Sequence, residues 1–281
     1  MIVAHAQQQP QREFAFSDRD FRFLVELANK KTGIVLNDQK RDMVYARISR
    51  RLRVLGFSAF APYCELLKTS DGDAEMGHLV NAITTNLTHF FREKHHFEHL
   101  HQAVLLPLQA AGGRRLRIWS AGCSSGMEPY SIALTLRHGL RNVDSWDARI
   151  LATDIVTNML ATGARGDYAL DEYSNIPAAM REHLLCNTRE GTMHMMDTLK
   201  GLIAFKHLNL QEAWPMRGPF DAIFCRNVVI YFDKPTQVVL FNRMAELLAV
   251  GGWLYIGHSE NLSQVSDRFE LVGRTIYRKV R

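Results

Sequence analysis

Three segments of the sequence pair an apolar run with the polar residue types that chemistry requires. In the first, Leu116-Arg-Ile-Trp-Ser runs into Ala121-Gly-Cys-Ser-Ser-Gly126 and then into Glu128-Pro129, the order of a strand, a glycine turn and a helix start. Glycines in such a turn let backbone come close to a ligand at the carboxyl end of a strand. The spacing is Gly-x-x-x-Gly, not the Gly-x-Gly-x-x-Gly that receives a pyrophosphate. Glu128 beside a helix N-terminus repels an anion and suits a ligand with cationic groups, such as the sulfonium and amino group of S-adenosylmethionine (SAM); a capping Glu in an ordinary turn is the other reading. In the second segment, Arg149 to Thr153 ends in Asp154, the position from which an acid bonds ribose hydroxyls or, alternatively, caps a helix. In the third, Cys225-Arg226-Asn227-Val-Val-Ile-Tyr231-Phe-Asp233 sets Arg226, Asn227 and Tyr231 at a strand end, where a substrate would meet a cofactor's methyl group. Tyr231 also suits a core position, where a buried hydroxyl commonly finds a partner.

The elements that position these residues fall into two textures. Up to about residue 70 the chain reads as helices. Ser17 and Asp20 form a capping signal, Phe21, Leu24, Val25 and Ala28 repeat at helical spacing, and Gly33 offers a stop. A second helix spans about Asp38 to Leu55, with Val44, Ile48, Leu52 and Leu55 on one face and Arg47, Arg50 and Arg51 on another. Ser58 starts a third, and Thr-Ser-Asp-Gly-Asp at 69–73 is a polar breaker and candidate boundary. The stretch 74–110 reads as helical again, interrupted around Thr84 to Thr88. Beyond residue 112, short apolar strands at Arg117 to Ala121, Arg149 to Thr153, Asp221 to Cys225 and Trp253 to Gly257 alternate with helical patterns such as Tyr130 to Leu140 and Thr236 to Leu248. Such alternation implies a doubly wound parallel sheet. Phe269 to Val272 and Thr275 to Lys279, joined by Gly273-Arg274, close it as an antiparallel hairpin. That ending is more typical of SAM methyltransferases than of dehydrogenases.

Composition excludes several classes. With 281 residues, 47% hydrophobic and 22% charged, the chain has ample material for a core and for two domains. Its longest apolar run, Val228 to Phe232, is far short of the ~20 residues of a spanning helix. The N-terminal residues carry neither a basic leader nor a long apolar stretch, so no signal peptide is expected and a cytoplasmic protein is the default. The absence of heptads and of long apolar edge strands fits a monomer. Cys64, Cys123, Cys186 and Cys225 are scattered without a CxxC pair and read as buried or incidental thiols. Six basic residues against Asp42 alone lie between Gln39 and Phe57, a local excess equal to the +5 of the whole chain. That helix suits phosphate backbones or an acidic helical bundle. A further pattern, His95-His-Phe-Glu98-His99, contains the H-x-x-E-H of an inverted zincin, but arises easily in a His-rich helix flanked by Arg92 and Lys94. Neither a zinc peptidase nor a nucleic-acid module is the preferred reading, and no metal is expected. His258 has no Ser/His/Asp arrangement around it and reads as structural.

Four blocks, Thr84-Thr-Asn86-Leu-Thr88-His-Phe-Phe-Arg92-Glu93, Gly122-Cys-Ser-Ser-Gly-Met-Glu128-Pro-Tyr-Ser131, Cys225-Arg-Asn-Val-Val-Ile-Tyr-Phe-Asp233 and Gly257-His-Ser-Glu260, occur in this order behind a helical domain. Together they closely resemble the chemotaxis receptor glutamate methyltransferases, the CheR family, over about residues 16 to 279. The resemblance implies a class I SAM-methyltransferase sheet with a small inserted β-subdomain, preceded by an all-α domain. It also implies transfer of methyl from SAM to glutamate carboxylates on the cytoplasmic helical bundle of chemoreceptors, with S-adenosylhomocysteine as product. Carried over by position, Asn86, Thr88, Arg92, Glu128, Asp154, Asn209, Leu210, Arg226 and Asn227 match cofactor-contacting residues. Arg92 and Tyr231 match residues near the transferring methyl, and Arg47, Arg50 and Arg51 match the basic face that meets the receptor. The expected layout is a disordered tail over 1–15, a receptor-recognition domain over 16–70, a linker helix and cofactor-contacting loop over 71–92, and a methyltransferase domain over 93–281 with its β-subdomain near 186–207. Met127 stands where relatives often have a second acid. The stretch Asn187-Thr-Arg-Glu-Gly-Thr-Met-His-Met-Met lacks the Gly- and Arg-rich look of relatives that dock a receptor's C-terminal peptide, so no such tether is expected.

Overall fold

The computed structural model describes residues 12–263 and 265–281; residues 1–11, most of the expected tail, lie outside the described residues. The chain divides into two compact units, one of residues up to Lys31 with Leu36–Ile83, the other of Thr32–Val35 with Thr84–Arg281.

The first unit is helical: α1 (Asp18–Thr32), α2 (Arg41–Leu55), α3 (Phe60–Leu66) and α4 (Gly72–Ile83). α1 starts with a reciprocal cap, in which the Ser17 N–H donates to Asp20 Oδ2 at 2.9 Å and the Asp20 N–H donates to Ser17 Oγ at 3.2 Å. Its apolar stripe buries Phe21, Leu24 and Ala28, and α2 buries Val44, Ile48 and Leu52, each one turn from the last. Two boundaries differ from the sequence expectation. Residues 12–15 are not part of a loose tail: Phe14 is buried and its N–H donates to Tyr45 Oη, Arg12 pairs with Asp42, and Ala15 forms a bridge with Ala59. The polar breaker at 69–73 is a turn within the unit, because α4 returns to α2 through Glu75, which takes a bidentate Arg51 and the Tyr63 hydroxyl. A polar turn and a domain boundary look alike locally; only the buried acid downstream distinguishes them.

The second unit holds β1 (Arg115–Ala121), β2 (Asp147–Asp154), β3 (Asp167–Ala169), β4 (Leu184–Asn187), β5 (Thr192–Met195), β6 (Ile203–His207), β7 (Phe220–Cys225), β8 (Leu248–Ile256), β9 (Phe269–Gly273) and β10 (Ile276–Lys279). Its helices are α5 (His95–His99), which continues through a π-helical stretch at Leu100–Leu105 into α6 (Leu106–Ala110), then α7 (Met127–Gly139), α8 (Thr157–Arg165), α9 (Asp197–Lys200) and α10 (Lys234–Leu247). Seven strands form one sheet in the order β6-β2-β1-β7-β8-β10-β9, parallel from β6 to β8 and antiparallel through β10 and β9. This is the doubly wound sheet with a closing hairpin expected from the sequence. Side chains sort by the strand period of two. Leu116 and Ile118 of β1 pack with Tyr130, Ile132 and Leu136 of α7, whereas Trp119 and Ala121 pack with Leu240, Phe241 and Met244 of α10. Helices thus cover both faces, and the polar work is left to the strand ends.

The inserted subdomain is displaced from its expected window. A three-stranded antiparallel sheet, β3-β5-β4, spans 167–195, and β6, placed by sequence inside the insert, pairs parallel with β2 as an edge strand of the main sheet. β3 is only three residues long and β6 is half exposed, so neither leaves the apolar run by which buried strands are recognised.

Candidate active site

The parallel strands present their carboxyl ends at one edge of the sheet, where the loops after β1, β2, β7 and β8 gather. In the first turn the N–H groups of Gly122 and Cys123 both donate to Thr153 O, at 2.8 and 2.9 Å, tying the loop to the end of β2. Gly126 has φ +90°, and an added Cβ would stand 2.8 Å from Gly163 Cα, so the glycine lets the turn press against α8. Ser124 donates its N–H to Asp154 Oδ2 at 2.8 Å and its hydroxyl to Asn86 O at 3.0 Å. Asp154 Oδ1 accepts the Val156 N–H at 2.9 Å. Asp154 therefore braces two loops. Burial pushes its carboxyl up, against the pull of those N–H donors.

Glu128, at the start of α7, does not face the crevice as a bare acid. Its Oε1 accepts the Ser120 hydroxyl at 2.7 Å and its Oε2 meets Arg226 Nη1 at 2.9 Å. Burial raises the Glu128 carboxyl, while the guanidinium and the hydroxyl hold it down. Arg226 Nη2 donates to Arg92 O and lies 3.7 Å from Glu93 Oε2. This single arginine thus binds the end of β7 to the turn after β1 and to the segment ahead of α5. Arg92 itself is half-buried, with Nη1 donating to Leu87 O at 3.1 Å.

Phe91, Glu93, Ser124 and Asn227 are four of the six non-glycine residues with positive φ among the described residues, at +53°, +58°, +50° and +58°. All four lie in the loops that carry Arg92, the glycine turn and Arg226. Strained backbone held by surrounding packing collects at functional sites. The Asn227 N–H donates to Glu260 Oε2 at 3.0 Å, while Asn227 Oδ1 and Arg226 Nε are buried without a hydrogen-bond partner among the described residues. Asn209 Oδ1 accepts the Gln211 N–H and Nδ2 donates to Glu212; Leu210 O takes Trp214 and Arg243. Leu208 N–H donates to Asp154 O at 3.0 Å, which brings this segment to the same edge. Tyr231 ends a 3-10 turn at Val229–Tyr231 and is half-buried; its carbonyl accepts the Val35 N–H at 2.9 Å. Thr88 is half-buried in the loop that precedes Arg92.

Hydrogen bonds thus tie Asn86 through Ser124 to Asp154, Arg92 through Arg226 to Glu128, and Asn227 to Glu260, while Asn209 and Leu210 lie in the segment that Leu208 ties to Asp154. Four contributors carry no role in the sequence reading: Ser120, Ser124, Glu93 and Glu260. Glu93 and Glu260 sit inside the quoted blocks, but an acid's role depends on which N–H groups the fold brings to it. His258 is exposed; its N–H donates to Glu93 Oε1 at 3.3 Å and its ring lies beside Ser259.

The three arginines of α2 separate. Arg51 is bound by Glu75, and Arg47 Nη1 donates to Ala82 O and Ile83 O at the end of α4. Arg50 is exposed. Arg53 pairs with Glu13 and Arg41 with Asp18, so much of the local positive excess is neutralised within the unit.

The H-x-x-E-H residues do not converge as a ligand set. His95 Nε2 contacts Arg274 O at 2.9 Å, His99 Nδ1 contacts the Tyr255 hydroxyl at 3.0 Å, and Glu98 is exposed. A different trio, Glu93, His95 and His96, brings ligand-type atoms within 4.8 Å of one another. The same Glu93 oxygen that lies 3.6 Å from His96 Nδ1 lies 3.7 Å from Arg226, so a guanidinium stands where a metal cation would be repelled.

The residues present fit S-adenosylmethionine: a glycine turn without a phosphate cradle, a braced acid at the end of β2, and unsatisfied buried polar atoms on Arg226 and Asn227. Residues 19–84 match the family described as CheR methyltransferase, all-alpha domain, and residues 86–278 match CheR methyltransferase, SAM binding domain. The chain is 46% identical to a probable chemotaxis protein methyltransferase of Rhizobium etli over 88% of this chain and 94% of the relative. It is 43% identical to chemotaxis protein methyltransferase 2 of Pseudomonas aeruginosa, over 95% of each chain. With the chemotaxis protein methyltransferase of Escherichia coli it shares 42% identity over 94% of this chain and 91% of the relative. The strand-end network, the helical unit ahead of it and these matches lead to one assignment: the chain belongs to the CheR family of SAM-dependent methyltransferases.

Proposed function

We propose that this enzyme esterifies glutamate side chains on the cytoplasmic helices of chemoreceptors, converting SAM to S-adenosylhomocysteine, and that it acts as a cytoplasmic monomer in chemotactic adaptation. The observation that carries the reading is the cluster in which Arg226 joins Glu128 to the segment bearing Arg92. The sulfonium of SAM supplies an electrophilic methyl group. A free glutamate has a pKa of ~4.3, so the acceptor is ionised at neutral pH and no general base is needed. The protein's task is alignment of carboxylate oxygen, methyl carbon and sulfur, with compensation for desolvating the carboxylate. Arg92 Nη1 donates to Leu87 O, and the guanidinium has further donors for a carboxylate. Tyr231, from the loop after β7, orients the sulfonium or the carboxylate. Asp154 takes the ribose hydroxyls; Asn86, Thr88, Asn209, Leu210 and Asn227 line the remaining cofactor surface.

The receptor-facing role of α2 rests on Arg50, since Arg47 and Arg51 are committed within the helical unit. Catalysis proceeds without a receptor tail tether on the inserted sheet; micromolar binding of a tail peptide to the enzyme would overturn this. Calorimetric titration with SAM and S-adenosylhomocysteine, with wild type and Asp154→Ala, tests the cofactor assignment. Base-labile label transferred from methyl-labelled SAM to a receptor cytoplasmic fragment tests the acceptor. Absence of cofactor binding by wild type would remove the reading.

A further inference from the structure

The loop after β7 carries Arg226, Asn227 and Tyr231, yet from Asn227 to Ile230 its backbone belongs to no strand ladder and needs partners from elsewhere. The partners of its four N–H groups come from one side chain 30 or more residues away. Glu260 Oε1 accepts the N–H groups of Val228 and Val229 at 2.9 Å each and of Ile230 at 3.3 Å. Its Oε2 accepts the N–H groups of Asn227 at 3.0 Å and Gly257 at 2.6 Å. Five converging donors form a concave backbone nest closed around a carboxylate only 6% exposed. Hydrogen bonds to a charged acceptor are about twice as strong as neutral ones, which favours the ionised acid over any neutral substitute.

The nest also explains two other local features. Asn227 sits at φ +58°, a conformation that an asparagine adopts only at some cost unless its surroundings hold it. Gly257 leaves no room for a side chain: an added Cβ would lie 2.8 Å from Asn227 N and 2.5 Å from Asn227 Nδ2. The end of β8 is therefore pressed against the loop after β7, with Glu260 gripping both.

We propose that Glu260 is a positioning residue for methyl transfer: its carboxylate gathers the loop after β7 onto the end of β8 and so sets the backbone from which Arg226, Asn227 and Tyr231 reach the cofactor. The inference rests on the SAM reading above. Glu260 touches no reacting atom and acts through the loop. Replacing it by Gln turns an acceptor oxygen into a donor facing N–H groups, with little change of volume. Asp keeps both acceptor oxygens and withdraws them by one methylene.

The test uses the full chain, with calorimetric titration of S-adenosylhomocysteine, initial rates on a receptor fragment, and thermal melts. Glu260→Gln is expected to stay folded at the assay temperature, to weaken S-adenosylhomocysteine binding about tenfold or more, and to raise the KM for SAM while leaving the KM for receptor unchanged. Glu260→Asp is expected to recover part of that loss. In wild-type protein the five amides should exchange slowly with deuterium although they lie outside the regular ladders, which tests the clamp even where a variant does not fold. Wild-type affinity and turnover in Glu260→Gln, or free-loop exchange at those amides, would overturn the inference while wild-type cofactor binding left the SAM reading standing. No binding by wild type would overturn both.

Discussion

Glu128 and Arg226 are 98 residues apart in sequence and 2.9 Å apart in space, a buried ion pair joining the start of α7 to the end of β7. Only 11% of the Glu128 side chain and 2% of the Arg226 side chain reach the surface. Removing one partner of such a pair leaves a charge with neither water nor counterion. Arg226→Met should lower unfolding stability by about 3 kcal/mol, and adding Glu128→Gln should return part of it. Chemical denaturation of both variants checks this; a loss under about 1 kcal/mol for Arg226→Met would mean that the pair is solvated like a surface bridge.

Arg92 and Tyr231 are expected to act on turnover. Tyr231→Phe should bind S-adenosylhomocysteine as wild type does and lose roughly tenfold or more in kcat. Arg92→Ala should lose turnover at saturating SAM and raise the KM for receptor. Wild-type kcat in both variants would end their assignment to the transfer step.

Arg50 and Arg51 are adjacent but differ in environment, which predicts opposite phenotypes. Arg51→Ala strips Glu75, itself 5% exposed, of its bidentate partner and should cost about 3 kcal/mol of stability. Arg50→Ala should leave the melting temperature unchanged and weaken receptor methylation, more so at low salt. Equal melts and equal receptor kinetics for the two variants would contradict this division.

His96 is fully buried and its pKa is pushed down to about 2, first by burial and then by the charge of Arg226. His99 is lowered as well, chiefly by burial. In the unfolded chain both rings take up protons near pH 6.5. The unfolded state therefore binds more protons below that pH, and stability falls as pH drops from 6.5 towards 2. At and above pH 7 the contribution is fully present. The His96 ring adds a slope that approaches about 1.4 kcal/mol per pH unit by pH 5, and His99 acts in the same direction. The buried acids Glu128, Asp154 and Glu260 are raised and oppose the trend, so the informative quantity is the difference between wild type and His96→Gln in urea midpoints from pH 7 to 5. Gln retains a donor towards Thr275 Oγ1, which His96 Nε2 contacts at 3.0 Å. Parallel profiles for the two proteins would show that His96 is protonated in the folded state.

Local pattern was enough for the ordering of elements, because it depends on periodicities that each segment carries alone. Val44, Ile48 and Leu52 mark a helix face, Leu116 and Ile118 a strand face, and the Ser17–Asp20 cap a helix start, whatever the rest of the chain does. The placement of Asp154, Arg226 and Asn227 at strand ends was likewise legible, since in a doubly wound sheet the edge where loops gather follows from strand direction. What the tertiary structure decided was which charges remain free. Glu128 reads from sequence as an acid suited to a cationic ligand or as a helix cap, and the fold joins it to Arg226. Arg47 and Arg51 read as part of a basic face and instead hold α4. Glu93 and Glu260 carry no role of their own in the sequence reading, and the fold sets both among the strand-end loops. Short strands such as β3 and the edge strand β6 escaped the pattern because too few of their residues are buried to leave a period. A charge's role depends on partners far away in sequence, and local spacing has no term for contacts such as the 98-residue reach from Glu128 to Arg226.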